Sequence, residues 1–167
     1  MSAHPSSALL PAAVVALYPP HDRTIPSFLG ARARVRPDGL ALEVAPRRWT
    51  YGQLERASEG LARVLARRGI VPGDRIALIS ANTDFSVILF FAAARLGALF
   101  VPLNPAATQA DLEYLLSHTR PALVVAQPAD LERAGRVAQG LARPAPVAAL
   151  ADWGLDCASS TAVLDRI

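Results

Sequence analysis

Apolar positions along this chain follow two different rhythms. Leu54, Ala57, Leu61, Val64 and Leu65 recur at three- and four-residue steps, while Glu55, Arg56, Glu59, Arg63 and Arg67 occupy the positions between them. That is the stripe of a helix lying on a core. Thr50 stands at its start with Gln53 three residues on, the spacing of a capping box, and Gly69 supplies a stop, so a helix is predicted from Thr50 to about Arg68. Elsewhere the apolar residues run on without alternation, at Arg75 to Ile79, Ala98 to Leu103 and Ala122 to Ala126, with a further run at Pro146 to Leu150. Runs of strand length with no polar face predict strands covered on both sides.

Helical signals fill the gaps between these strands. Asn82 or Thr83 can cap an apolar helix that ends near Gly97; Thr108 opens a second, carrying Leu112, Leu115 and Leu116 and stopped by Pro121; Pro128 suits the first turn of a weaker third, to about Gly140. Strands separated by helices imply crossover connections, and crossovers make neighbouring strands parallel. The fold class expected is therefore α/β, a parallel-sheet Rossmann-like unit of three or four strands. Before it, Ile25 to Arg36 reads as a short amphipathic helix closed by the turn Pro37-Asp38-Gly39. Leu40 to Ala45 and Arg48 to Tyr51 flank Pro46-Arg47 as a small N-terminal hairpin.

In domain terms, residues 1–24 are expected to form a flexible leader, 25–150 the α/β unit and 151–167 a tail in which the pattern fades. The leader's apolar run, Ala8 to Tyr18, lacks a basic segment before it and is broken by Pro11, which argues against a signal peptide. The longest apolar stretch, Val87 to Leu103, is long enough to raise the question of a membrane span. Arg95 at its centre would cost about 2.5–3.5 kcal/mol on insertion, and Gly97 and Pro102 interrupt the helix. A buried helix followed by a buried strand is expected there, and no transmembrane segment.

Composition narrows the function. With 52% hydrophobic and 19% charged residues and a mean hydropathy of +0.28, the 167-residue chain has the makings of a core, and disorder is excluded except at the ends. All 17 basic residues are arginine, the net charge is only +3, and the arginines are scattered with nothing longer than pairs such as Arg47-Arg48 and Arg67-Arg68. No basic stripe for nucleic acid is present. The absence of lysine excludes, within this chain, a Walker-type phosphate loop, a Schiff-base mechanism and lysine-assisted adenylation. Cys157 is the single cysteine, so no internal disulfide can form and a cytoplasmic location is expected.

Candidate chemistry is sparse. No two glycines stand at G-x-G spacing, so the dinucleotide fingerprint is missing. His4, His21 and His118 are dispersed and none lies near Cys157 at a metal-ligand spacing. Ser117 and His118 are adjacent on a helix and therefore point in different directions; a surface histidine at a helix end is the expected reading. Asp38, Asp74 and Asp84 border turns, where carboxylates serve hydrogen bonding, and Trp49 and Tyr51 are expected to pack rather than to stack on a ligand.

Three stretches taken in order resemble the adenylate-forming enzymes, the family of acyl- and aryl-CoA synthetases, peptide-synthetase adenylation domains and luciferases. They are Arg32 to Asn82, with Thr50-Tyr51 at a helix start and Pro72-Gly73-Asp74 before a strand; Phe90 to Thr108, with Gly97-Ala98 followed by Pro102-Leu103-Asn104-Pro105; and Asp111 to Gln127. The resemblance covers about residues 25 to 127. It implies the amino-terminal portion of an AMP-forming acyl-CoA synthetase, lying within that family's large domain, whose complete members use ATP, magnesium and CoA to turn a carboxylate into an acyl-adenylate and then a thioester. The family's Ser/Thr- and Gly-rich phosphate loop with Pro-Lys-Gly, its acidic and arginine motifs and its catalytic lysine lie farther along than this sequence runs. The matched residues Thr50, Tyr51, Gly73, Asp74, Gly97, Pro102 and Asn104 are implied to be scaffold, so no catalytic, cofactor-binding or metal-ligating residue is assigned. The expected partner is the remainder of the ligase, or a second copy through self-association. The competing expectation is a non-catalytic interaction or regulatory module on the same scaffold. A stand-alone flavodoxin-like nucleotide binder would need a pocket at a strand end.

Overall fold

The computed structural model describes Asp22 and residues 24–153. The expected leader and tail therefore lie outside the described residues, apart from Asp22, Thr24 and residues 151–153. Helix α1 spans Ile25–Val35, with Thr24 Oγ1 accepting from Ser27 N at its start. Strands β1 (Leu40–Val44) and β2 (Arg47–Thr50) pair antiparallel as the expected hairpin, with a register shift between Leu40 and Leu42. Strand β2 begins at Arg47, one residue earlier than the sequence suggests, with Val44 and Arg47 paired across the two-residue turn.

Helix α2 (Tyr51–Arg67) opens with the capping box: Gln53 N donates to Thr50 Oγ1 at 3.2 Å, and Thr50 N donates to Gln53 Oε1 at 2.9 Å. Each partner satisfies an amide that helix geometry leaves without one. Strand β3 (Arg75–Ile79) leads to α3 (Asp84–Leu96), capped by Thr83, then to β4 (Leu99–Leu103). Helix α4 (Gln109–Thr119), capped by Thr108, precedes β5 (Leu123–Ala126); a 3-10 turn at Pro128–Asp130 leads into α5 (Leu131–Gln139), and β6 (Val147–Ala149) completes the sheet. Pro128 thus opens a 3-10 turn ahead of the helix.

The four main strands are all parallel, in the order β4-β3-β5-β6. One core lies between the sheet and helices α1, α2 and α3, where Ile76, Leu78 and Val125 meet Leu61, Leu65, Phe85 and Leu89. The second lies on the opposite face, where Ala77, Ile79 and Val124 meet Leu112 and Leu116 of α4 and Ala134 and Ala138 of α5. Continuous apolar strands are what a sheet with helices on both faces requires. Strands β3 and β5 behave this way, with Val124 and Val125 fully buried.

Strand β4 departs from the expected buried strand. It is the edge of the sheet, Leu99 is 52% exposed, and Pro102 sits within the strand, paired with Leu78, instead of ending it. The pairing geometry explains the proline. Leu99 N donates inward to Asp74 O at 2.7 Å, and alternate residues of a strand face opposite neighbours, so Phe100 and Pro102 present their main-chain groups outward. An edge position is one a proline tolerates, because no neighbour needs its missing N–H.

Candidate functional site

In open parallel sheets, ligands lie beyond the carboxyl ends of the strands where the chain order reverses. Here β3 connects to β4 on one side and pairs with β5 on the other, so the reversal falls between β3 and β5. The residues just past those two strand ends are Ser80, Ala81 and Asn82 after β3 and Gln127 after β5. Gln127 closes the gap: its Oε1 accepts from Ala81 N at 3.2 Å and its main-chain N donates to Ile79 O at 3.0 Å.

Behind Gln127 the same edge is filled by charge that is already neutralised. Gln127 Nε2 donates to Asp130 Oδ2 at 2.7 Å, and Arg133 donates to Asp130 Oδ1 at 2.5 Å. The Arg133 guanidinium also donates to Ala107 O and Pro105 O, each at 2.5 Å, fastening the loop after β4 to α5. Asp130 is buried, and its partners account for both carboxylate oxygens. A phosphate cradle needs free amides and an uncommitted cation. Here the Ala81 and Gln127 amides and the Arg133 guanidinium are already bonded within the protein.

An open crevice of about 420 Å³ lies beside the plug, lined by Ser80, Ala81, Asn82, Pro102, Leu103, Asn104 and Pro105. Two of its polar side chains turn to the backbone: Ser80 Oγ donates to Ala81 O at 3.0 Å, and Asn104 Oδ1 accepts from Ala106 N at 2.8 Å. Among the described residues no group of three or more His, Cys, Asp or Glu could hold a metal ion.

The residues of the resemblance meet as structure. Gly73 N donates to Gly97 O at 2.8 Å, which joins the Pro-Gly-Asp turn to the turn between α3 and β4. Gly97 has φ +68°, and a Cβ there would come within 3.3 Å of Pro72 Cβ, so a side chain is disfavoured by both backbone and space. Asp74 Oδ2 accepts from Val71 N at 2.9 Å and holds the turn. Thr50 and Tyr51 form the cap and first turn of α2, and Asn104 braces the loop after β4.

The other candidates separate cleanly. Ser117 Oγ donates to Tyr114 O at 2.8 Å within its own helix, and the His118 ring stacks on Tyr114 at 6.0 Å, so they do not form a nucleophile and base. Asp38 is exposed. Cys157, His4 and His21 lie outside the described residues. Trp49 packs in the core, as the sequence suggests, but Asp84 is more than a turn residue: it is buried, and its partners Arg47 and Trp49 come from the hairpin. Sequence reasoning found no partner for Asp84 because they lie 35 and 37 residues away. The Gln127–Asp130–Arg133 chain was also missed, although its three-residue spacing across a Pro-initiated turn was a readable signal.

Comparison with known proteins agrees with this architecture. The chain is 56% identical over 72 residues to the acyl-CoA ligase SID4 of Ajellomyces capsulatus, which takes in 43% of this chain and 12% of that protein. It is 32% identical over 115 residues to the phosphinothricin tripeptide synthetase PhsC of Streptomyces viridochromogenes, 69% of this chain and 11% of that one. Among solved structures, VinN in complex with L-aspartate superposes with a TM-score of 0.72 at 27% identity, over 81% of this chain and 33% of VinN. The chain thus spans a third or less of the length of these relatives. The AMP-binding enzyme family model matches residues 29–163, most of the chain, and with the parallel sheet and hairpin described above it places this protein in the AMP-binding, adenylate-forming enzyme family.

Proposed function

We propose that this chain is the amino-terminal scaffold of an adenylate-forming ligase. In that reading the complete enzyme converts ATP and a carboxylate to an acyl-adenylate and passes the acyl group to a thiol, usually CoA, and polypeptide outside this chain carries the phosphate chemistry. The observation that carries the proposal is the closed strand edge, where Gln127, Asp130 and Arg133 satisfy one another and the loops around them. The commitment of Arg133 to Asp130 and to two carbonyls supports placing the phosphate chemistry outside this chain. An acyl-CoA ligase among the relatives supports the thioester product, and a tripeptide synthetase among them keeps a carrier-bound thiol in view.

The test is carboxylate-dependent exchange of labelled pyrophosphate into ATP, run with acetate, long-chain and aromatic acids. The chain alone should give no exchange above a heat-killed control, and exchange should appear when a downstream segment with a Gly-rich loop and Pro-Lys-Gly is joined to it. Exchange by the chain alone, lost on mutating one of its own residues, would overturn the scaffold reading. A joined protein that folds and gives none would favour the non-catalytic module.

A further inference from the structure

The amino-terminal edge of the sheet, the end opposite the Gln127 plug, gathers three arginines around one opening. A cavity of about 140 Å³ there is lined by Asp74, Arg75, Arg120 and Arg143, walled by Pro121, Pro144 and Pro146. A second cavity of about 340 Å³ shares the same three arginines. Elsewhere Arg47, Arg48, Arg63, Arg95, Arg133 and Arg136 each pair with a carboxylate. Arg75, Arg120 and Arg143 have no such pair among the described residues.

Arg75 organises the edge. Its Nε and Nη2 donate to Arg120 O at 3.3 and 3.0 Å, and its Nη1 donates to Gly73 O at 3.1 Å. These bonds to neutral carbonyls leave its charge uncancelled and tie the loop after α4 to the start of β3. Arg120 itself is the one non-glycine residue with positive φ among those described, at +47°, in the left-handed conformation that ends α4. Helix ends of this kind favour glycine, so an arginine held there is a departure from the local preference that points to a use for its side chain.

We propose that Arg75, Arg120 and Arg143 form a binding site for a dianionic phosphoryl group. Three guanidinium charges against the single carboxylate of Asp74 leave the lining at +2, which a dianion matches. Guanidinium forks recognise tetrahedral oxyanions through paired hydrogen bonds. The proline walls have little conformational freedom to lose, so the cavity is preformed. The site lies at the opposite sheet edge from the Gln127 plug and does not depend on the adenylation reading.

The test is calorimetric titration of the full chain at constant ionic strength, with inorganic phosphate, glycerol 3-phosphate and acetate as probes. Phosphate should bind saturably, and Arg120→Gly and Arg143→Gln should each weaken it about tenfold, the scale of one lost charge-assisted hydrogen bond. Arg34→Gln, an equal charge loss on the exposed face of α1, should leave binding unchanged. Arg120→Gly also separates site from scaffold, since glycine suits this backbone and the variant should melt no lower than the parent. Tighter binding of glycerol 3-phosphate would assign the site to a phosphate monoester, and equal binding to the free ion; either supports the proposal. No saturation, binding of acetate as tight as phosphate, equal loss in Arg34→Gln, or no loss in the two site variants would overturn it.

Discussion

Trp49 and Asp84, 35 positions apart, are joined by one buried hydrogen bond in which the indole Nε1 donates to the carboxylate Oδ2 at 2.9 Å. Arg47 pairs with the other oxygen, Oδ1, and Phe85 N donates to it as well at 3.0 Å. Asp84 is the first residue of α3, where a carboxylate complements the positive end of the helix dipole. The hairpin is thereby latched to the helix that packs on the sheet, and the side chains that do so leave no charge unpaired.

Replacing Asp84 with alanine removes the acceptor from both Arg47 and the indole. We expect a loss of about 3–5 kcal/mol, the cost of breaking a buried pair on one side, read by urea denaturation. Trp49→Phe keeps most of the packing and should cost about 2 kcal/mol, the scale of a lost hydrogen bond to a charged group. In the double variant the two losses should sum to less than their separate values, because they share one carboxylate.

Gly97 and Gly69 test how much of a glycine's role is backbone and how much is space. Both have positive φ, at +68° and +86°, but a Cβ at Gly69 meets nothing within 4 Å whereas one at Gly97 meets Pro72. Gly69→Ala should cost about 1 kcal/mol from the backbone alone. Gly97→Ala should cost measurably more in the same thermal or urea melt, since the Pro-Gly-Asp turn must also shift.

Two capping boxes differ in one respect that pH can read. Thr50 pairs with Gln53, which does not titrate, while Thr108 pairs with Asp111, whose carboxyl is held below its ordinary value chiefly by the hydrogen bond from the Thr108 side chain and then by that from its main chain. A lowered folded-state value contributes stability that is complete above the unfolded value of about 3.9 and is lost as pH falls through the lower folded value. Thr108→Ala should therefore raise the Asp111 titration midpoint in an NMR experiment, and its destabilisation should shrink at acid pH. The effect of Thr50→Ala, about 1 kcal/mol, should stay level over the same range.

Strand β4 is an open edge, with Leu99 52% and Phe90 37% exposed and Phe90 edge-on to Phe100 at 6.1 Å. Exposed apolar edges recruit other strands and other chains. The isolated chain is expected to self-associate in sedimentation experiments and to bind a hydrophobic dye. Leu99→Lys should reduce both without lowering the melting temperature; a monomeric parent with no dye binding would count against the reading of this chain as part of a larger ligase.

Much of the architecture was legible because it is local. The stripe of Leu54, Leu61 and Leu65, the Thr50 and Thr108 caps and the Gly97 stop are each settled within a few residues, and the structure has them where the pattern does. Glu55 and Arg95 were not legible in the same way. On its own helix Glu55 reads as polar surface, yet it accepts from Arg95 of α3 while Ser58 accepts from the same guanidinium at 3.2 Å, so the pair clamps α2 to α3. No spacing within either helix announces a partner 40 residues away.

The amino-acid sequence by itself determined the types of element, their caps and turns, and the parallel α/β class, since hydrophobic period and backbone preference act over one or two turns of chain. Only the tertiary structure decided that β4 is the edge, that Asp84 belongs to the hairpin's Arg47 and Trp49, that Gln127 closes the gap between β3 and β5, and that three arginines far apart in the chain face one cavity. The reason is physical: which strands become neighbours depends on how the crossover helices pack on each face, and that packing sums contacts between residues far apart in the chain.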